Sequence, residues 1–251
     1  MKIEGCTALV TGGNRGIGEG FVQELLEAGA KRVYIASRRL ADAESAAAVD
    51  SRLVGIQLDV TDAAQVSAAA ERCGDVDLLV NNAGVFHLGT TLLTAPTDAE
   101  MRAEIETNYL GPVALIRAFA PVLKANGGGA VVNVLSAGGI VAVPSMGGYS
   151  PSKFAMRAAS DCLRAELAPQ GTSVHALIVG SVDTRMAAHV TWQAKSTPRD
   201  IGRAGLTAVR HGIDEHDTDA HAVSVRAFLA RDPATLKRSM AAGLANPDGR
   251  R

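Results

Sequence analysis

Val10-Thr11-Gly12-Gly13-Asn14-Arg15-Gly16-Ile17-Gly18 is the stretch that decides the fold. A short apolar run at 6–10 feeds into this turn, and an apolar, helix-like stretch at 19–28 leaves it. Glycines placed between a strand and a helix let backbone N–H groups approach a pyrophosphate on the positive helix end. Outward from this unit, short β-branched runs at 32–36, 53–58, 78–81, 130–135 and 173–179 alternate with longer Ala-rich stretches at 40–48, 62–73, 98–124 and 148–167. Gly29, Gly74 and Gly171 stand at helix ends, where a positive φ is needed. Such alternation builds βαβ units. The expected fold class is α/β: one domain with a doubly wound parallel sheet of six or seven strands and helices on both faces.

Bulk composition agrees with one globular domain spanning 1–251. The chain has 251 residues, 47% hydrophobic and 20% charged, enough apolar area for one sizeable core. Its 25 Lys and Arg against 26 Asp and Glu leave a net charge of −1, and the basic residues are scattered. Nucleic-acid binding needs a basic footprint that is missing here. Neither an apolar leader in Met1-Lys2-Ile3-Glu4-Gly5 nor a run of membrane-spanning length is found, so a cytoplasmic protein with no membrane partner is expected. Cys6, Cys73 and Cys162 form no CxxC pair and fall in strand- or helix-like segments, which reads as buried small side chains in a reducing compartment.

The TGxxxGxG spacing of Thr11, Gly12, Gly16 and Gly18 resembles the classical short-chain dehydrogenase/reductase family. Asp59-Val60 at the third strand end and Asn81-Asn82-Ala83-Gly84 at the fourth match further motifs of that family, in the same order. The resemblance implies a Rossmann-type sheet and a nicotinamide coenzyme. It assigns coenzyme contacts to Gly12, Asn14, Arg15, Gly16, Ile17 and Gly18 in the turn, to Asp59 and Val60 at the adenine, and to Asn81, Ala83 and Gly84.

Charge indicates which coenzyme. An NAD-type site places a carboxylate about 20 residues beyond the glycine turn to hold the ribose 2′-OH. Ser37 stands there instead, followed by Arg38 and Arg39, with Arg15 inside the turn. Guanidinium groups bind a 2′-phosphate through charge-assisted hydrogen bonds, so NADP(H) is favoured over the alternative of solvated arginines at a strand end.

Tyr149-Ser150-Pro151-Ser152-Lys153 sets a phenol and an ammonium four residues apart, on one helix face. A phenol with an ordinary pKa near 10 needs roughly 4 kcal/mol of anion stabilisation to be poised near neutrality, and Lys153 is expected to help supply it. Ser136 ends the fifth strand thirteen residues earlier. The resemblance makes Tyr149 the acid in reduction and the base in oxidation. It has Ser136 bond the substrate oxygen, Lys153 tune Tyr149 and hold the nicotinamide ribose, and Asn108 act as the fourth catalytic residue. Pro112 has no N–H to give the Asn108 carbonyl, which leaves that carbonyl free to bind water; the alternative is a simple proline kink.

Val182 and Thr184 match a family motif near the carboxamide, although Val179 replaces its usual proline. The resemblance covers about residues 3–186. Cofactor binding is expected mainly in 1–135, catalytic and nicotinamide motifs in 136–186, and a lid plus divergent helices in 187–251. The lid is placed at 187–196, including Trp192, over a pocket lined by Ile140, Val141, Val143, Met146 and Met186; His87 is either a pocket residue or a surface histidine. Helices are expected at 196–211 and 218–230, with a weak strand near 212–215 where the family's final strand is otherwise missing. His211, His216 and His221 lie five apart among acidic residues and share no helical face, so no metal site is assigned.

The expected function is an NADPH-dependent carbonyl reductase, reversible as an alcohol dehydrogenase, acting on a moderately apolar ketone, aldehyde or secondary alcohol. The alternative is a non-catalytic NADP(H)-binding sensor on the same fold. The helices at 98–124 and 148–167 correspond to the family's dimer-forming pair. The second carries the small residues Ala155, Ala158, Ala159 and Cys162, so a homodimer or homotetramer is expected.

Overall fold

The computed structural model describes residues 1–89, 91–191 and 194–245. The elements run β1 (Thr7–Thr11), α1 (Gly16–Glu27), β2 (Arg32–Ser37), α2 (Leu40–Ala47), β3 (Leu53–Gln57), α3 (Ala63–Arg72) and β4 (Leu78–Asn81). They continue with α4 (Ala99–Ile105), α5 (Gly111–Ala125), β5 (Gly129–Val134), α6 (Tyr149–Leu167), β6 (Thr172–Ile178), α7 (Pro198–His211), β7 (Glu215–Asp217), α8 (Ala220–Arg231) and α9 (Pro233–Ala245).

Seven strands form one sheet in the order β3-β2-β1-β4-β5-β6-β7, and every neighbouring pair is parallel. The central strands are apolar along nearly their whole length because helices cover both faces; all of β1 is buried. One core layer joins Leu79 and Val131 to Leu115, Phe119, Met156 and Leu163 under α5 and α6. The other joins Val10, Val80 and Val132 to Phe21, Leu25, Ile201 and Val209 under α1 and α7. Strand order reverses between β1 and β4, and such a switch point opens a crevice at the carboxyl ends of the strands.

Four expectations change. The helix expected at 98–124 divides into α4 and α5 around a π-helical turn, Glu106–Leu110. Pro112 gives the Asn108 carbonyl no N–H, and Gly111 N–H bonds back to the Glu106 carbonyl, widening the turn. A seventh strand does form, so the final strand is not missing. Its Glu215-His216-Asp217 has no apolar run, and it pairs in register with Ala176, Leu177 and Ile178 of β6. Glu215 bridges Arg157 of α6 and Arg226 of α8, and Asp217 also binds Arg226. Helix α9 was not anticipated; Asp232 accepts the Thr235 N–H at its start, and Leu236 is buried. Cys162 is exposed rather than buried, because its position on α6 faces away from the sheet, whereas Cys6 and Cys73 are buried as expected. Among the described residues no helix is long and apolar enough to cross a membrane.

Candidate active site

A cleft of about 1190 Å³ runs along the carboxyl edge of the sheet. At its centre, Gly12 and Gly16 take left-handed φ values of 62° and 55°, which a side chain would strain. Arg15 precedes α1 without capping it by its side chain, so the first N–H groups of α1 meet the cleft unshielded. This cradle fits a pyrophosphate, and Gly12, Asn14, Arg15, Gly16 and Ile17 all line it.

Ser37 lies at the end of β2, nearly buried, with Arg38 exposed beyond it; both line the cleft. Arg39 leans on Asp42 at 3.8 Å, while Arg38 has no ion-pair partner among the described residues. Asp59 and Val60 line the adjoining wall, and the Asp59 carboxylate is held by the Thr61 N–H at 3.0 Å and hydroxyl at 2.7 Å. Ala83, Gly84, Val182 and Thr184 complete the walls toward the other end.

Two assigned residues do not reach the cleft. Asn81 turns into the sheet, where its side-chain amide donates to Asn133 Oδ1 of β5 at 2.9 Å. Gly18 is needed for close approach, since a Cβ there would collide with the Gly12 carbonyl and with Asn82. Alternation along the chain gives Asn82 the position expected of Asn81. Asn82 donates to the Thr11 carbonyl at 2.9 Å, and the Thr11 hydroxyl accepts from the N–H groups of Asn82 and Ala83 at 2.9 and 3.0 Å. Thr11 and Asn82 therefore clamp the glycine turn to the β4 loop; both stood inside the quoted motifs, but their roles depend on strand pairing.

Ser136 follows β5, Tyr149 opens α6, and Lys153 sits one turn later on the same face. The Ser136 hydroxyl accepts the Gly138 N–H at 3.1 Å and lies where it acts to lower the pKa of the Tyr149 phenol. Lys153 Nζ lies 5.6 Å from the Tyr149 ring centroid and donates to the Val134 carbonyl at 2.9 Å. Asn108 lies buried behind them: its side chain pairs with the Val85 N–H and carbonyl, both at 2.9 Å, and donates to Ser152 Oγ at 3.1 Å. It ties the β4 loop to α6.

Residues 6–195 match the family model described as short chain dehydrogenase. The chain belongs to the short-chain dehydrogenase family. It is similar to a 3-alpha-(or 20-beta)-hydroxysteroid dehydrogenase of Mycobacterium bovis, at 31% identity over 98% of this chain and 94% of the relative. Among solved structures it is similar to a short chain dehydrogenase from Burkholderia cenocepacia in complex with NADP, at 40% identity and TM-score 0.89, covering 96% of this chain and 99% of that one. A 3-ketoacyl-(acyl-carrier-protein) reductase from Brucella melitensis complexed with NADH aligns at 28% identity and TM-score 0.78, covering 86% and 96%. The chain is thus a short-chain oxidoreductase of the kind that works with a nicotinamide coenzyme.

In this short-chain dehydrogenase the electrostatics of the pair differ from the sequence expectation. Burial pushes the Tyr149 phenol above its ordinary pKa, with the Ser136 hydrogen bond opposing. Burial also brings the Lys153 ammonium down to about 8, so the low dielectric acts on both partners. The substrate end is lined by Val141, Val143, Met146 and Met186, with Phe86 edge-on to Tyr149 at 5.0 Å. Ile140 does not line it; the turn at 137–139 sends that side chain into the core. His87 does line it, and so do Val225 of α8 and Met240 of α9. The segment at 187–196, expected as a lid, follows a turn at Arg185–Ala187, and Ser196 at its end pairs with Val182. Trp192, assigned to that lid, lies outside the described residues. Among the described residues no group of three or more His, Cys, Asp or Glu is placed to hold a metal ion.

Proposed function

We propose that this short-chain dehydrogenase is an NADPH-dependent carbonyl reductase, reversible as an alcohol dehydrogenase, acting on a moderately apolar ketone, aldehyde or secondary alcohol. One observation carries the reading: a single cleft has Ser136, Tyr149 and Lys153 at one end and, at the other, Ser37 and Arg38 where an NAD-type site carries a carboxylate. The coenzyme, when bound, supplies or accepts the hydride. Ser136 hydrogen-bonds the substrate oxygen, and Tyr149 donates its proton to that oxygen as negative charge develops. Lys153, fixed by the Val134 carbonyl, holds the nicotinamide ribose and favours the phenolate left behind. Apolar walls orient the rest of the substrate and exclude water. Similarity to the NADP-bound Burkholderia structure supports the coenzyme assignment.

Purified protein is assayed against a panel of ketones and aldehydes with NADPH and with NADH. Turnover with NADPH preferred is the expected result. NADPH binding without turnover of any carbonyl would instead support a coenzyme sensor. The double variant Ser37→Asp/Arg38→Ala removes one charge-assisted phosphate contact, costing about ten- to a hundredfold in NADPH affinity, and installs a ribose-binding carboxylate. Its kcat/KM should favour NADH; a wild type that already prefers NADH refutes the charge reading.

A further inference from the structure

Glu104 lies near the end of α4, two residues before the π-helical turn, and is only 1% exposed. Its Oε1 accepts the His87 backbone N–H at 2.7 Å and lies 3.5 Å from His87 Nδ1. Its Oε2 has no hydrogen-bond partner among the described residues, and neither does His87 Nδ1. That second oxygen abuts the start of α6: a Cβ on Gly148, the residue before Tyr149, would collide with it and with the Met101 backbone. A buried carboxylate with a bare oxygen is costly to keep. The mechanism above does not use it.

We propose that Glu104, joined to His87 beneath the first turn of α6, is a positioning residue whose negative charge holds Tyr149 in its phenol form and biases the site toward carbonyl reduction near neutral pH. The inference rests on the catalytic role given to Tyr149 above. A helix N-terminus attracts an anion, which gives the carboxylate a reason to sit at α6. A phenol in the same place feels the opposite effect, because a second negative charge nearby disfavours its ionisation. Glu104 does raise the Tyr149 pKa, in addition to the effect of burial.

Several groups face this pair. His87, on the loop after β4, draws the Glu104 pKa down, while burial and Glu100, one turn earlier on α4, push it up. Around Tyr149 itself lie Lys153, on the same face of α6, and Ser136, at the end of β5. The His189 ring lies 5.7 Å from that of Phe86, centroid to centroid, and Phe86 in turn flanks Tyr149. At the alkaline pH where a phenol ionises, Glu104 carries its charge, so its removal acts directly on Tyr149.

The test compares pH profiles of kcat/KM in both directions for the wild type and Glu104→Gln, using one ketone and its alcohol. The amide keeps the shape and an acceptor for the His87 N–H. The acid limb of oxidation should move down by about one pH unit, and the alkaline limb of reduction with it. Glu104→Met, also uncharged, should move the limbs alike and carries the test if the amide does not fold. A residue with a merely structural role would lower rates at every pH and leave the limbs in place; that result in a folded variant overturns the inference and leaves the proposed function intact. Absence of coenzyme-linked turnover in the wild type overturns both.

Discussion

At the scale of the residue, the proposed reduction rests on a phenol, Tyr149, whose proton must be available on demand. Tyr149 is flanked by Phe86 and raised in pKa by burial, with Ser136 opposing, which suits donation more than abstraction at neutral pH. Tyr149→Phe keeps the ring contacts and deletes the proton. It should lower kcat for ketone reduction by at least about a hundredfold while leaving NADPH affinity, followed by fluorescence titration, nearly unchanged. Retained activity would remove Tyr149 from the acid role. Ser136, Tyr149 and Lys153 were picked out by the resemblance to the family, with the helix turn that brings residues four apart together as its physical support. The direction of the Tyr149 shift was not readable, since burial depends on which distant segments cover the ring.

Among the elements, the opening of β4 shows how strand pairing creates a titrating group away from the cleft. Asp77 precedes β4, donates its N–H to the Thr7 carbonyl of β1 at 3.0 Å, and accepts the Thr7 N–H on its carboxylate at 3.1 Å. Burial raises its pKa to about 6. Because the folded-state value lies above the unfolded one, the protonated form favours folding, and that contribution is lost as pH rises from about 4 through about 6. Asp77→Asn keeps an acceptor and cannot ionise. It should match the wild type at pH near 4 and exceed it at pH near 8, by roughly 1 kcal/mol after solvent screening, in chemical denaturation at the two pH values. Equal stability differences at both pH values would refute the assignment. Nothing in the sequence around Asp77 announces this, because the desolvation comes from β1 and β5 on either side.

For the whole molecule, α5 and α6 close one face of the sheet and leave part of their outer surface uncovered. Phe154 is exposed on α6, and so are Ala158 and Cys162 on the turns after it. Small side chains let a second helix approach closely, and an exposed phenylalanine among them adds apolar area to an interface. We expect a homodimer through this face. Light scattering at micromolar concentration should report at least twice the chain mass of 25.9 kDa, and Ala158→Arg should shift it toward monomer. A monomeric wild type would reject this assembly.

The sequence by itself determined the α/β alternation, the glycine turn and the carboxylate-free end of β2, because each is a local signal carried within a few residues of one strand end or helix start; the Ser136, Tyr149 and Lys153 group needed the resemblance to the family. It also marked the Asn108 carbonyl as one that loses its helical N–H partner to Pro112, although the division of the long helix there into two was not foreseen. Tertiary structure alone decided the rest. The polar residues 215–217 become a strand only because the edge of β6 is free and Arg157 and Arg226 neutralise the acids beside it. Asn81 turns into the sheet because Asn133 lies opposite it in register, and that hands the cleft to Asn82. Glu104 meets His87 and the start of α6 only when three segments distant in sequence fold onto one another, and the low dielectric they create lets a buried carboxylate act on the Tyr149 phenol.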